Sequence, residues 1–480
     1  MKIGTDYKEN KWIVIAFWVA TIIFLGVCVY YMIHNAYWQI EDEAIVISHT
    51  GMGKPFSPYG FEGMISSHGR FYPFAYNLYN VLLLFHDGYI SPTDHYILQS
   101  VALVIYSLAF IAIALILLKM QSVVWKYAIT ICFMAVCVAR VYPEFITCYT
   151  GVWIIFMFLP VFLWSVCKFD ESEKWMYGVI SLLVINYINY CYETLFVIPL
   201  SMGVCSLMFN YRKLDKNKRL FNWLLVASGL LFLLLYAIIV LPRASHYYGH
   251  YTSDSILQIA VKAFIAQKIY WIAMVVLFIR VVEIFRKKSV FTFYDSMLLA
   301  AFAYFCGAAV LKLDFTYYYN IGSLMAFVSI LHFFNEKLKP RWVFVIMFCL
   351  AAFYCRKIPM QIHQIQKIRV ETFCDVSNLS RFVGKEKIYW YAPDYEDDTN
   401  QWVDFRLTIR HRLEIYLSWL LHQDVHLEER TAFDELETGI WLFPSENKEL
   451  FPDDMTVDKI QDNPMFTSKG ITGFYLKTTK

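Results

Sequence analysis

Residues 13–33 read IVIAFWVATIIFLGVCVYYMI, a run of twenty-one positions without one charged side chain. A helix rises about 1.5 Å per residue, so a run of this length crosses the ~30 Å hydrocarbon core of a bilayer. The preceding MKIGTDYKENKW is basic at its start and no small-residue cleavage site comes after the apolar run. That pattern predicts an uncleaved signal anchor. The whole chain has the same character: 480 residues, 58% hydrophobic and only 17% charged, with a mean hydropathy of +0.45. A soluble chain of this length needs far less apolar sequence, and the composition implies an integral membrane protein.

The spanning-length rule predicts about eleven transmembrane helices. They fall near residues 12–33, 96–118, 121–139, 145–167, 175–190, 193–210, 221–241, 265–285, 293–311, 316–334 and 342–355. The stretch 175–210 also reads as one hairpin with short arms. Orientation is set by Lys and Arg, which collect in cytoplasmic loops. With the N-terminus inside, the inner side holds Lys2, Lys8 and Lys11, then Lys119, Lys126, Lys168 and Lys174, then Arg212, Lys213, Lys216, Lys218 and Arg219. Further along they hold Arg280, Arg286, Lys287, Lys288, Lys337, Lys339 and Arg341. The outer side carries Lys54, Arg70, Arg140, Arg243, Lys262, Lys268 and Lys312. This excess of roughly two and a half to one supports the orientation, and an odd number of spans then puts the C-terminus outside.

Two segments fall outside the bundle. The loop 34–94 contains GMGKPFSPYGFEG and the aromatic stretch FYPFAYNLYNVLLLF, which suits an interfacial helix. Residues 356–480 read as soluble sequence: a helix, the strand KIYWYA, the helix FRLTIRHRLEIYLSWLLHQ, and the short strands GIWLFP and ITGFYLKT. The expected fold class is therefore an all-α polytopic membrane bundle over 1–355, with a small extracytoplasmic α/β C-terminal domain over 356–480. Residues 254–268, DSILQIAVKAFIAQK, suggest an amphipathic surface helix with Lys262 and Lys268 on its polar side.

Of the eleven cysteines nearly all lie in apolar runs, among them Cys28, Cys132, Cys137, Cys205, Cys306 and Cys349, where they act as small hydrophobes. No C-x-x-C pair occurs, so neither a disulfide framework nor a zinc site is indicated. Unpaired cysteines in an outer domain point towards a bacterial plasma membrane. A net charge of +2 without a Lys/Arg block argues against nucleic acid as a partner.

The stretch QIEDEAIVISHT, residues 39–50, places Glu41, Asp42 and Glu43 just beyond the first span. That helix end carries the negative pole of the macrodipole, where a carboxylate costs about 0.3–1 kcal/mol, and crowding raises carboxylate pKa values further. A solvated loop start would also contain acids. The remainder of the loop favours chemistry: SSHGRFYPF adds His68 and Arg70 to the three acids, and arginine makes two-pronged contacts to phosphate. Further polar groups recur at predicted outer turns. RVYPEFITCYTG sets Arg140 and Glu144 around Pro143 in an expected tight turn, and NYCYETLF carries Glu193 between two apolar arms. PRASHYYGHY gathers Arg243, His246 and Tyr247, and LKLDFTYYYN sets Lys312 and Asp314 before three tyrosines. Aromatic belts at membrane interfaces account for many such tyrosines without any ligand.

An acidic pair directly after the first helix, a bundle of this size and a soluble domain after the last helix together resemble the GT-C superfamily of membrane glycosyltransferases. Asp42-Glu43 is similar to the Asp-Glu motif of its protein O-mannosyltransferase and aminoarabinose-transferase-like branches, and Glu41 allows a second register, Glu41-Asp42. The resemblance implies a polyprenyl-phosphate-linked sugar donor drawn from the membrane lipid and a glycan, lipid or protein acceptor outside the membrane. Asp42 would act as general base on the acceptor hydroxyl and Glu43 would orient the acceptor or a divalent metal ion. Inverting attack on the anomeric carbon would release polyprenyl phosphate, a leaving group that needs charge stabilisation. Arg70, Arg140, Arg243 and Lys312 are the cations available for that phosphate, with His68, Glu144, Glu193, His246, Tyr247 and Asp314 as substrate-binding candidates.

Two other classes compete. A transporter or flippase also needs many helices, yet such proteins place ionisable groups near the midplane, whereas here charges gather at helix ends. Asn186 and Asn189 are the strongest polar interruptions, and hydrogen bonds between helices would account for them. A non-catalytic envelope assembly protein could use the tail for contacts. A membrane protease is disfavoured because H-E-x-x-H and G-x-S-x-G are both absent.

Overall fold

The structure is a computed structural model. It describes residues 11–34, 71–74, 92–119, 122–147, 150–242, 254–313, 316–360, 362–363, 377, 379–391, 413–414, 416–430, 439–442, 458–461 and 474–476. Two compact units result: the first holds the described residues 11–32, 71–74 and 97–359, and the second holds 33–34, 92–96 and the described residues from Met360 onward.

Apart from residues 71–74 and the short turns, the described chain up to residue 355 is helical. The helices are α1 (Lys11–His34), α2 (Pro92–Leu117), α3 (Val123–Thr147), α4 (Thr150–Ser172), α5 (Trp175–Asn189) and α6 (Val197–Asn210), the last entered through a 3-10 turn Glu193–Phe196. They continue as α7 (Lys216–Ile239), α8 (Ile256–Ala266), α9 (Ile269–Phe285), α10 (Phe293–Val310), α11 (Thr316–Lys337) and α12 (Pro340–Cys355). Eight helices among the described residues are long and apolar enough to cross a membrane. A helix stands at each of the other expected spans, but α5 has 15 residues and α9 has 17, and α11 opens on the polar run Tyr317-Tyr318-Tyr319-Asn320.

Large apolar side chains stay exposed on the outside of this bundle, including Ile22 of α1, Leu234 of α7 and Phe348 of α12. Water would not tolerate that surface, and lipid does. α1 buries a single stripe, Phe17, Thr21, Leu25, Cys28 and Met32, at the three-and-four spacing of one helix face. Phe17 meets Tyr127 at 5.0 Å between ring centroids, and Tyr142 Oη donates to the Cys28 carbonyl at 2.6 Å. Both contacts advance along both helices, so α1 and α3 run parallel.

The α6–α7 hairpin is the tightest pairing because each helix offers a glycine to the other. A Cβ on Gly203 would lie 2.7 Å from the Asn222 carbonyl oxygen, and one on Gly229 would lie 2.7 Å from Leu200 Cβ. Small residues let helix backbones approach in this way inside a membrane. Asn186 of α5 also reaches α7, donating to Ser228 Oγ at 3.0 Å and to its own helix at Leu182 O. Asn189 is fully buried and hydrogen-bonds to no described side chain or backbone group.

The expected turn around Pro143 is instead helical, since α3 continues to Thr147. Inside a bundle, neighbouring helices and nearby side chains can satisfy the backbone groups that a proline frees, so the chain need not break there. The expected surface helix is present as α8, started by a capping box in which Ser255 N–H donates to Gln258 Oε1 at 2.7 Å and Gln258 N–H returns to Ser255 Oγ at 3.3 Å. It buries only Ile259 and Ala263, and Lys262 pairs with Asp254.

One end of the bundle is laced by ion pairs between basic and acidic residues. Lys119 reaches Glu171 at 3.0 Å, Lys218 reaches Asp170 at 3.3 Å and Lys337 reaches Glu283 at 2.6 Å. Arg280, 5% exposed, grips Asp295 with two nitrogens at 2.8 Å each, the fork-to-carboxylate geometry that arginine favours. These contacts gather the basic loops at a single end.

In the second unit, β1 (Ile388–Tyr391) lies between β2 (Glu428–Arg430) and β3 (Ile440–Leu442), parallel to both. Parallel neighbours require a crossover, and the helical residues 416–421 lie in the connection from β1 to β2. Leu413, Tyr416, Leu417, Trp390 and Ile440 are buried. β4 (Asp458–Gln461) and β5 (Phe474–Leu476) form a separate antiparallel pair.

Candidate functional site

Away from the ion-paired end, three expected site residues fall among those described with their side chains: Arg140, Glu193 and Lys312. Glu144 is described as part of α3 only through its backbone. Glu41, Asp42, Glu43, His68, Arg70, Arg243, His246, Tyr247 and Asp314 lie outside the described residues.

Arg140 is on the last turns of α3, and there it meets two other elements directly and a third through one of them. Its Nη2 donates to Gln267, which ends α8, and its guanidinium stands 5.6 Å over the Tyr354 ring of α12. Gln267 Nε2 passes the chain of contacts on to Asn320 Oδ1 of α11 at 3.1 Å. Gln267 and Asn320 are each 1% exposed, so this polar relay is enclosed. Most buried amides have a partner, and here each amide supplies the other. The relay aligns four helices that are distant in sequence around one cation.

Lys312 occupies the turn between α10 and α11 with φ of 54°, a left-handed conformation that a lysine adopts only when its surroundings hold it. Tyr319 supplies that hold by donating to the Leu313 carbonyl at 2.8 Å, and Tyr270 in turn donates to the Tyr319 carbonyl at 3.2 Å.

Glu193 opens the 3-10 turn before α6 and lines a groove of about 220 Å³. Phe196 and Val197 of that turn, Phe232 and Tyr236 of α7, and Gly307 and Leu311 of α10 supply its apolar walls. Its polar end holds Glu193 together with a pair of hydroxyls, Thr194 Oγ1 and Tyr304 Oη, 2.9 Å apart. Tyr192, just before Glu193, packs its ring 5.5 Å from Tyr318 at the start of α11, joining this end of the groove to the helix that carries Asn320.

Phe71 ties the long first loop to the same place. It is 3% exposed and packs on Phe232, Tyr236 and Val240, with its ring 5.9 Å from that of Phe232. Phe74 comes next, its backbone N–H donating to the Tyr190 carbonyl at 3.0 Å and its ring stacked on Tyr187. The chain that emerges from Arg70 is therefore seated on the groove wall.

Chemically, this end offers a largely apolar groove lined also by a carboxylate and two hydroxyls, with cations on neighbouring elements. Gln267, Asn320, Thr194, Tyr304 and Tyr354 were not among the residues the sequence singled out. Gln267 and Asn320 carried a usable signal, as amides within otherwise apolar sequence, whereas Thr194, Tyr304 and Tyr354 resemble ordinary packing residues. Among the described residues no group of His, Cys, Asp or Glu could hold a metal ion. No family model matches this chain and no curated protein matches it.

Proposed function

We propose that this protein is an inverting membrane glycosyltransferase of GT-C type, which moves a sugar from a polyprenyl-phosphate carrier to an acceptor on the far side of the membrane. The observation that carries the reading is the seating of Phe71 on Phe232 and Tyr236. It seats the residue that directly follows Arg70 in sequence on the wall of an apolar groove that Glu193 also lines. A lipid-borne phosphate needs that combination: apolar walls for the hydrocarbon, cations for the phosphate, and a carboxylate for the attacking hydroxyl.

In the reaction, Asp42 takes the proton of the acceptor hydroxyl as its oxygen bonds to the anomeric carbon. The bond from that carbon to the phosphate oxygen breaks, and the electron pair leaves with polyprenyl phosphate. Arg70, Arg140, Arg243 and Lys312 compensate the phosphate charge, and Glu43 orients the acceptor or a divalent ion. The gathering of the basic loops at one end supports eleven spans with that end cytoplasmic. The groove, the first loop and the C-terminal unit are then extracytoplasmic, in a bacterial plasma membrane.

A lipid-translocating transporter is a second reading that the same groove favours, since its apolar walls would guide a lipid with or without subsequent chemistry. The test is transfer of label from a polyprenyl-phosphate sugar to acceptor by membranes containing the protein, with analysis of the anomeric configuration of the product. Label in the acceptor with inverted configuration is the expected result. Label that stays on the carrier and only changes leaflet would replace the transferase reading with the second one.

A further inference from the structure

A second cavity, of about 410 Å³, lies at the ion-paired end of the bundle, between the ends of α4 and α6 and the start of α7. Its chemistry is polar and unbalanced. Asp170, Glu173 and Asp215 line it, against the two ammonium groups of Lys213 and Lys218. Lys218 is already engaged, 3.3 Å from Asp170 and 3.5 Å from Glu173. Asp215 gives one oxygen to the Lys218 backbone N–H at 2.8 Å as the N-cap of α7.

The sharper imbalance is in hydrogen-bond acceptors. Asn222 is 3% exposed and its Nδ2 donates to the Lys218 carbonyl at 2.8 Å, which fixes the amide with Oδ1 as its remaining group. That oxygen accepts from no described residue, and neither does Oδ1 of Asn210, which lines the same cavity. A buried acceptor left in this state costs free energy until a donor arrives. The cavity therefore calls for N–H or O–H donors and net positive charge in its interior. At its exposed rim stands Lys213, which makes no ion pair with a described residue and offers a cation to an anion.

We propose that this cavity binds an aminoethyl phosphate group, with the primary ammonium donating to Asn222 Oδ1 and Asn210 Oδ1 beside Asp170 and Glu173, and the phosphate paired with Lys213. The group could be carried by a phospholipid of the adjoining leaflet or by a soluble molecule. A trimethylated ammonium has no N–H to donate and is excluded by the same chemistry. The inference stands apart from the glycosyltransferase reading, because it uses the opposite end of the bundle and no residue of the groove.

The test uses the full-length protein in nanodiscs containing equal phosphatidylethanolamine and phosphatidylcholine, with retained lipid measured by native mass spectrometry and soluble O-phosphoethanolamine added in a parallel arm. The ethanolamine lipid should be retained about tenfold over the choline lipid, the preference expected from one charge-assisted hydrogen bond. Asn222→Leu should remove the preference. Lys213→Gln, at an exposed position where folding is not at stake, should weaken retention. Displacement by O-phosphoethanolamine would support the site and assign it to a soluble ligand, and resistance to displacement would support it as a lipid site. Equal retention of the two lipids with no binding of O-phosphoethanolamine would overturn the proposal, as would a preference that survives Asn222→Leu together with retention that Lys213→Gln leaves unchanged.

Discussion

Tyr142 donates its phenolic hydrogen bond to the backbone carbonyl of Cys28, a residue 114 positions earlier, at 2.6 Å. The bond pins the far half of α1 to α3 two residues after Arg140, so the helix leading to Glu41, Asp42 and Glu43 is fixed to the helix that presents the enclosed arginine. Replacing Tyr142 with Phe keeps the ring and removes the bond. It should lower stability by about 1 kcal/mol. The check is residue-resolved thiol labelling, in which Cys28, 5% exposed in the native protein, becomes reactive sooner than in the parent.

The glycine contact between α6 and α7 gives a steeper prediction. Because the Asn222 carbonyl would sit 2.7 Å from a Cβ at Gly203, and a backbone atom cannot swing aside, even Gly203→Ala forces the hairpin apart. A cost of about 1–3 kcal/mol is expected, the range for overpacking a filled interior. Gly307, whose Cβ would find only Val197 at 3.7 Å, should accept alanine with little change. Thermal unfolding of the two variants in detergent compares them directly.

The Thr194–Tyr304 pair at the groove mouth should behave as a unit. Thr194→Val or Tyr304→Phe leaves the other hydroxyl buried, at about 1–3 kcal/mol each, while the double variant should cost less than the sum. The measurement is a double-mutant cycle in unfolding. An additive result would mean that the 2.9 Å contact contributes nothing.

Arg280 and Asp295 form a clamp between α9 and α10, each 5% exposed. Arg280→Met strands a buried carboxylate and should destabilise by about 3–5 kcal/mol. Arg280→Lys should also fail to restore stability, because an ammonium cannot reproduce two parallel bonds together with those to Ser289 and the Val290 carbonyl. Expression level and unfolding temperature of the three proteins are the readout.

Much of the bundle was legible in the sequence because its signal is additive: charge-free runs such as 13–33 locate helices with no knowledge of neighbours. Pro143 was misread as a turn for the converse reason. Whether a proline breaks a helix depends on what surrounds it, and α12, packed along α3, belongs to sequence two hundred residues away. The groove has the same character. Glu193 was visible as an acid between apolar arms, but its walls come from Phe232 and Leu311, which read alone as lipid-facing or core residues. Likewise Arg140 was visible as an isolated cation, while its bond to Gln267, and through Gln267 to Asn320, needs three distant elements brought together by folding. Local composition predicts elements, and long-range packing decides which of their polar residues meet.

In the proposed transferase, Asp42 is the group that takes the acceptor proton. Asn replaces it with little change in size, so the most direct measurement is turnover of the Asp42→Asn protein with labelled polyprenyl-phosphate sugar, alongside retention of that donor. Turnover should fall by about 10²–10⁴, the contribution of a positioned general base, while donor retention and unfolding temperature stay at the parent level. Turnover near that of the parent protein would contradict that role.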